Sequence, residues 1–335
     1  NYGNPSSLHR LGIRAEQAIK EVRELIAKNL NCQPPEIYFT SGGTEGNNLI
    51  IQGVVENKKR NRMRIITSAI EHPSVLDMFT FYENHQIEVI VLGVDTQGHI
   101  RLDELEAAMN EDTILVSMMG VNNELGTIQD LKAIGKMIKA VNPKCVFHAD
   151  FVQGFMKIPI DVQAQNIDLL AFTGHKSLLG PMGTGGLVVN CEAEIHPLIS
   201  GGTGGDSAYE YQPDYYPNHL EAGTMNVSGI IGLGAALQFL ETEGLETIRD
   251  KEDTLMDYAL NALATVPGIE IYGPRDSSKS VGVVPFNLAG HVPEEIAFYL
   301  DQECHVMIRS GLHCAPSAHR LIGTVTRGTC RIGIG

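Results

Sequence analysis

Lys176 stands in Phe172-Thr173-Gly174-His175-Lys176, after a short apolar run and before Gly180, Gly183, Gly185 and Gly186. A lysine among small residues, between two segments that read as buried strands, is poorly placed to be a solvated charge. Partial desolvation would make its amine a nucleophile suited to carbonyl adducts. Asp150, in Phe147-His148-Ala149-Asp150-Phe151-Val152-Gln153, closes another apolar run. A carboxylate there is costly to bury unless something cationic meets it, and a protonated pyridine nitrogen is such a partner; the same residue reads equally well as a helix N-cap.

Two further clusters follow strand-like runs, where open α/β sheets collect ligand groups. Thr40-Ser41-Gly42-Gly43-Thr44-Glu45 leads into a helical stretch, and free N–H groups at a helix start favour a phosphate, with the Thr44 hydroxyl beside them. A capped helix after a tight turn is the plainer reading. The chain lacks both P-loop and dinucleotide-fingerprint spacing, so any phosphate is bound in another way. His72, in Glu71-His72-Pro73-Ser74, offers a flat ring, although Pro73 also marks a helix entry; Asn122-Asn123-Glu124-Leu125-Gly126 offers amide donors at the same sheet edge.

Towards the C-terminus, Arg309-Ser310-Gly311-Leu312-His313-Cys314-Ala315-Pro316 precedes Arg331 in Thr329-Cys330-Arg331-Ile332-Gly333. Loop thiols near Arg and His can hold depressed pKa values and act as nucleophiles, which singles out Cys314 from Cys145, Cys191 and Cys330, all in or beside apolar strands. Cys304, His305, His313, Cys314 and His319 are close in sequence, yet without a paired C-x-x-C no metal site is expected.

The elements that must position these residues alternate β-branched runs with amphipathic segments, the pattern of an α/β fold with a mostly parallel sheet between helices. Strands are expected at 36–40, 64–67, 88–92, 113–118, 145–149, 169–172 and 186–190, with helices over 14–30, 44–58, 102–109 and 131–141. One long helical pattern, 230–242 and then 247–264, leads to a tail with strands at 281–287, 306–309 and 329–334. This divides the chain into a large domain, 1–243, and a smaller α+β domain, 244–335. Gly-Thr-Gly-Gly at 183–186 and again at 202–205 is glycine-rich loop chemistry rather than duplication.

At 43% hydrophobic and 19% charged, 335 residues describe a well-cored protein too long for one ordinary core. A formal charge of −15 argues against nucleic-acid and membrane-surface partners, and no apolar run approaches the ~20 residues of a bilayer span. Six scattered cysteines suit a reducing, cytoplasmic setting. Both ends read as cut, with segments expected beyond Asn1 and Gly335.

Taken in order, Gly43-Thr44, Glu71-His72, Asn123-Glu124, Asp150 with Gln153, His175-Lys176, Gly223-Thr224, Cys314 and Arg331 resemble the cysteine desulfurases, class V aminotransferases of the fold-type I pyridoxal-phosphate group. The resemblance runs through nearly the whole chain and implies a homodimer acting on L-cysteine. It implies pyridoxal 5'-phosphate in Schiff-base linkage to Lys176, paired at its ring nitrogen with Asp150 and stacked by His72. Gln153 would bond its phenolic oxygen, and Gly43, Thr44, Thr173 and His175 would cradle its phosphate, with Thr224 reaching the neighbouring subunit's. Asn123 and Arg331 would orient substrate; alanine would leave, and Cys314 would keep the sulfur as a persulfide for an acceptor protein in iron–sulfur cluster, cofactor or tRNA biosynthesis. Gly43 stands where many relatives have alanine, and Phe151 where a small residue is usual. The early motifs resemble the branch with a long cysteine loop, whereas 310–316 resembles the branch with a short one. Selenocysteine lyase, another carbon–sulfur lyase or aminotransferase, and a non-catalytic sulfur-carrier scaffold are the alternatives.

Overall fold

The computed structural model describes residues 3–58, 62–190, 194–202 and 212–335. Cys191 and most of the second Gly-Thr-Gly-Gly stretch lie outside the described residues. The first helix, α1 (Arg10–Leu30), starts four residues earlier than its apolar pattern, because His9 caps it by accepting the Gly12 N–H at 3.2 Å. Asn31, left-handed at φ 54°, ends it. Ala15, Ile19, Val22, Ile26 and Leu30 line its buried stripe.

The large sheet is built from β1 (Ile37–Thr40), β2 (Arg64–Ser68), β3 (Glu88–Leu92), β4 (Thr113–Met119), β5 (Val146–Asp150), β6 (Leu169–Thr173) and β7 (Gly185–Val189). Their order is β1-β7-β6-β5-β4-β2-β3. Pairings from β6 through β3 are parallel, and β7 alone runs against both its neighbours. Strands β4 to β7 are buried throughout, which is why they read as continuous apolar runs rather than alternating ones. Helices α2 (Gly43–Asn57), α3 (Pro73–Glu83), α4 (Leu102–Ala108), α5 (Leu131–Val141) and α6 (Val227–Glu243) complete this part together with α1. One core cluster joins α1, α5 and α6 to one face of the sheet, and a second joins α2 and α3 to the other.

The long helical pattern is two helices rather than one, since Gly244 at φ 82° separates α6 from α7 (Leu245–Ala264). Beyond it lie β8 (Ile269–Ile271), β9 (Val283–Leu288), α8 (Pro293–Cys304), β10 (Arg309–Gly311), α9 (Pro316–Leu321) and β11 (Thr329–Gly333). The strands form an antiparallel sheet in the order β10-β11-β9-β8, with a small core of Met256, Leu260 and Val284. The strand expected at 306–309 is displaced towards the C-terminus: left-handed His305 ends α8, and pairing starts only where Arg309 meets Arg331. Among the described residues no helix is long and apolar enough to cross a membrane.

A buried ion pair ties α1 to the segment before α6. Arg23 donates to both Glu221 carboxylate oxygens, at 3.1 and 2.9 Å, and to the Ile37 carbonyl, while Glu221 also accepts the Phe39 N–H at 2.8 Å. Replacing Glu221 by Gln leaves the guanidinium buried without its counter-charge, and an expected loss of about 3 kcal/mol is checked by the chemical denaturation midpoint. A loss under about 1 kcal/mol would show that water reaches this pair.

Candidate active site

The parallel strands deliver their last residues to one edge of the sheet, and there a cavity of about 190 Å³ opens. Gly43, Thr44, His72, Asn123, Asp150, Gln153, Thr173, His175 and Lys176 all line it, together with Asn47, Ser74, Met119 and Val152. Nine of the residues singled out in the sequence thus meet in one place. A wider crevice of about 800 Å³ lies at the opposite ends of the strands, lined by Lys58, Lys139 and Lys144, and holds none of them.

Asp150 ends β5 and is buried; its Oδ2 accepts Asn47 Nδ2 at 2.8 Å and its Oδ1 the Val152 N–H at 3.0 Å. Asn47 also donates to Ser74 Oγ at 2.9 Å, and that hydroxyl lies 2.9 Å from His72 Nδ1. Asn47 and Ser74 were missed in the sequence, although Asn47 lies one helical turn beyond Gly43 on the face that Gly43 presents. His72 caps α3, accepting the Ser74 N–H at 3.1 Å, and the same residue lines the cavity. Burial lowers its pKa, so the ring is neutral, with its proton on Nε2 if Nδ1 accepts. His148 is a core histidine held near pKa 3 by burial.

Lys176 is half-buried, and no hydrogen bond or ion pair engages its Nζ among the described residues. Burial lowers its pKa; Asp150 and the Cys314 sulfur oppose that shift, while Arg331 and Arg309 reinforce it. Helix α2 starts without a side-chain cap, leaving first-turn N–H groups next to the Thr44 hydroxyl. Thr173 Oγ1 lies 3.1 Å from His175 Nδ1 on the facing loop.

Three expected site residues lie outside this cavity. Thr224 lines a separate one, also of about 190 Å³, with Ser41, Glu45 and Gly183. Arg331, on β11, donates through Nη1 to the Asn123 carbonyl at 2.8 Å and to Glu124 Oε2 at 3.2 Å. Cys314 is exposed on the short connection between β10 and α9, closed by the Ala315 N–H on the Leu312 carbonyl at 2.8 Å. Cys304 is exposed too, whereas burial pushes the thiols of Cys145 and Cys330 up to about 12 and about 11.

Gly43, the departure noted above, has a local cause. A β-carbon there would stand 2.4 Å from Val152 Cγ2, so the missing methyl and the bulky neighbour compensate each other.

This architecture and site define an α/β enzyme of the fold-type I class. The class-V aminotransferase family profile matches residues 1–335. A cysteine desulfurase IscS from Dictyoglomus turgidum is 37% identical over 318 residues, 95% of this chain and 76% of the relative. One from Methanosarcina thermophila is 39% identical over 276 residues, 82% of this chain and 64% of the relative. The apo structure of a cysteine desulfurase from Thermococcus onnurineus NA1 superposes with a TM-score of 0.88 at 30% identity, covering 98% of this chain and 81% of that one. The chain belongs to the class-V aminotransferase family, in its cysteine desulfurase branch, whose members depend in general on pyridoxal phosphate.

Two predictions follow from the packing and the charges. Gly43→Ala should cost about 1–3 kcal/mol by overpacking, and Val152→Ala in the same chain should recover most of it. Thermal unfolding of both single variants and the double variant tests this, and additive losses would break the proposed compensation. The second concerns Glu71, which is fully buried; burial pushes its pKa from 4.5 up to about 8 despite hydrogen bonds from the Ser68 hydroxyl and the Met119 N–H. The folded state then holds a proton that the unfolded chain releases, so the stability this confers is complete below pH 4.5 and is lost as pH rises through about 8. Glu71→Gln, which cannot ionise, should flatten that part of the stability profile between pH 5 and 9; an unchanged slope would mean that Glu71 is ionised throughout.

Proposed function

We infer that this chain is a cysteine desulfurase that converts L-cysteine to L-alanine and holds the released sulfur on Cys314 as a persulfide, with pyridoxal 5'-phosphate attached at Lys176. The observation that carries this reading is the Lys176 amine, without a hydrogen bond or ion pair among the described residues, in the same cavity as the buried Asp150 carboxylate, with Arg331 and Cys314 within electrostatic reach. The residues present fit the cofactor. Asn47 and Asn123 each leave a buried amide oxygen without a partner, and the uncapped start of α2 suits a phosphate.

When bound, pyridoxal phosphate supplies a protonated ring that draws electrons from the substrate α-carbon. Asp150, fixed by Asn47 and the Val152 N–H, would hold the proton on the ring nitrogen. Gly43, Thr44, Thr173 and His175 would hold the phosphate, Gln153 would meet the phenolic oxygen, and His72 would wall the ring. Lys176 Nζ, its pKa lowered by burial, is available as nucleophile and then as carrier of the α-proton. Asn123 and Arg331 orient the substrate, Arg331 through its carboxylate. The Cys314 thiolate attacks the substrate sulfur: an S–S bond forms as the C–S bond breaks, the bonding pair stays with carbon, and protonation there yields alanine. Carbon is reduced and sulfur oxidised, so no external oxidant enters.

The 1–243 lobe binds the cofactor and the 244–335 lobe carries the thiol. Thr224, lining a cavity of its own, serves the site of a second subunit in a homodimer. The persulfide passes to an acceptor protein for iron–sulfur cluster, cofactor or tRNA sulfuration in a reducing, cytoplasmic setting.

The test is alanine formation from cysteine together with mass mapping of the persulfide. Lys176→Ala should lower alanine formation by about a thousandfold and abolish borohydride fixation of the coenzyme. Cys314→Ala should keep that fixation and lose alanine formation from cysteine. A persulfide mapped to Cys304 would overturn the assignment of Cys314, and a Cys314→Ala protein that still turned over selenocysteine would point to a selenocysteine lyase.

A further inference from the structure

Glu124 takes no part in the chemistry just described, yet it is wholly buried and gathers donors from three segments of the 244–335 lobe. Its Oε2 meets His313 Nδ1 at 2.9 Å and Arg331 Nη1 at 3.2 Å; its Oε1 accepts the Thr329 hydroxyl at 2.7 Å, with His319 Nε2 3.4 Å away. Asn123 extends the seam, its side-chain amide donating to the His313 carbonyl at 3.4 Å while its own carbonyl accepts Arg331 Nη1. The turn that presents both residues is braced from within. Asn122 Oδ1 accepts the N–H groups of Glu124 and Leu125 at 2.9 and 2.7 Å, and Asn122 Nδ2 donates to the Ile70 carbonyl at 2.9 Å.

Two consequences converge on the reacting groups. Arg331 spends only Nη1 on this seam; Nε and Nη2 carry no hydrogen bond among the described residues, so the two-nitrogen edge that recognises a carboxylate is left open in a fixed orientation. On the other side, His313 and Cys314 are consecutive left-handed residues, at φ 47° and 61°, a conformation a β-carbon disfavours and which needs an external hold. The His313 ring on Glu124 is that hold. A metal ion bridging Glu124, His313 and His319 fits less well. The 2.9 Å between His313 Nδ1 and Oε2 is a hydrogen-bond length, and Arg331 brings a positive charge to the same oxygen.

We propose that Glu124 is a positioning residue that couples recognition of the substrate carboxylate by Arg331 to the placement of the Cys314 thiol through His313. The proposal rests on the desulfurase reading for its substrate, but one arm of its test does not need turnover. In the holoenzyme, Glu124→Gln keeps the shape and removes the charge. It should raise KM for L-cysteine at least tenfold, shrink the preference for cysteine over cysteamine, which lacks the carboxylate, and speed alkylation of Cys314 by iodoacetamide at least threefold. His313→Gln should speed the alkylation and leave KM within twofold, separating the two branches of the coupling. If Glu124→Gln fails to fold, His313→Gln carries the test, and alkylation within twofold of the parent overturns the proposal. It is overturned as well if Glu124→Gln only lowers the melting temperature while KM and alkylation stay within twofold, or if the purified protein retains one equivalent of metal. A parent enzyme that alkylates as expected but forms no alanine from cysteine would refute the desulfurase reading alone.

Discussion

The Asp150 carboxylate stands at the last residue of β5, which is paired with Met119 of β4 on one side and Ala171 of β6 on the other, and it is met by Asn47 Nδ2 at 2.8 Å and the Val152 N–H at 3.0 Å. A buried carboxylate must find such donors or cease to be charged. Finding them ties α2, which carries Asn47, to β5. Through Ser74 and His72 the same contact reaches the start of α3, so the entry points of two helices are set by one charge. Lys176 comes to the same cavity from the loop after β6, the strand paired with β5. The sheet thus fixes the spacing of acid and amine, while the polar chain from Asp150 to His72 fixes the wall opposite.

Much of this was legible because the chemistry sits at strand ends and the strands are buried on both faces. Continuous apolar runs such as Leu169–Thr173 mark a strand and its last residue together, so Asp150 and Lys176 could be located from the runs they follow. Helices α8 and α9 escaped notice. Of the residues of α8 only Pro293 is buried, so it has no buried apolar stripe to read, and α9 is only six residues long, too short to display a periodicity. The strand β8 has three residues, half-buried or exposed, and gives no alternation to read. The two stretches read as one long helical pattern, 230–242 and then 247–264, are separate helices because Gly244 between them takes a positive φ.

Asn47 and Glu124 were hidden for a different reason. Each takes its role from partners far away in the chain, Asp150 about one hundred positions on in one case and His313, Thr329 and Arg331 about two hundred positions on in the other, and no local pattern records those pairings. Burial alone would raise the pKa of Glu124, but hydrogen bonding and charge from His313, the Thr329 hydroxyl and the charge of Arg331 more than offset it, so the group stays ionised. Asp150 and Glu124 are therefore two buried carboxylates with different company. Glu124 is met by cationic or hydrogen-bonding side chains of this chain, whereas among the described residues Asp150 is hydrogen-bonded only to an amide and a backbone N–H and retains capacity for a cationic ring nitrogen.

The cysteine connection follows from that difference. A long loop would let a thiol travel, at the cost of ordering it each time it returned to the cavity. Here only three residues separate β10 from the N-cap of α9, and two of them are left-handed, a conformation costing about 1–3 kcal/mol apiece that surrounding contacts must offset. Such a thiol is held rather than carried. The side of the β10–α9 connection that carries Cys314, flanked by Leu312, is open to the surroundings, so the thiol is reached where it stands.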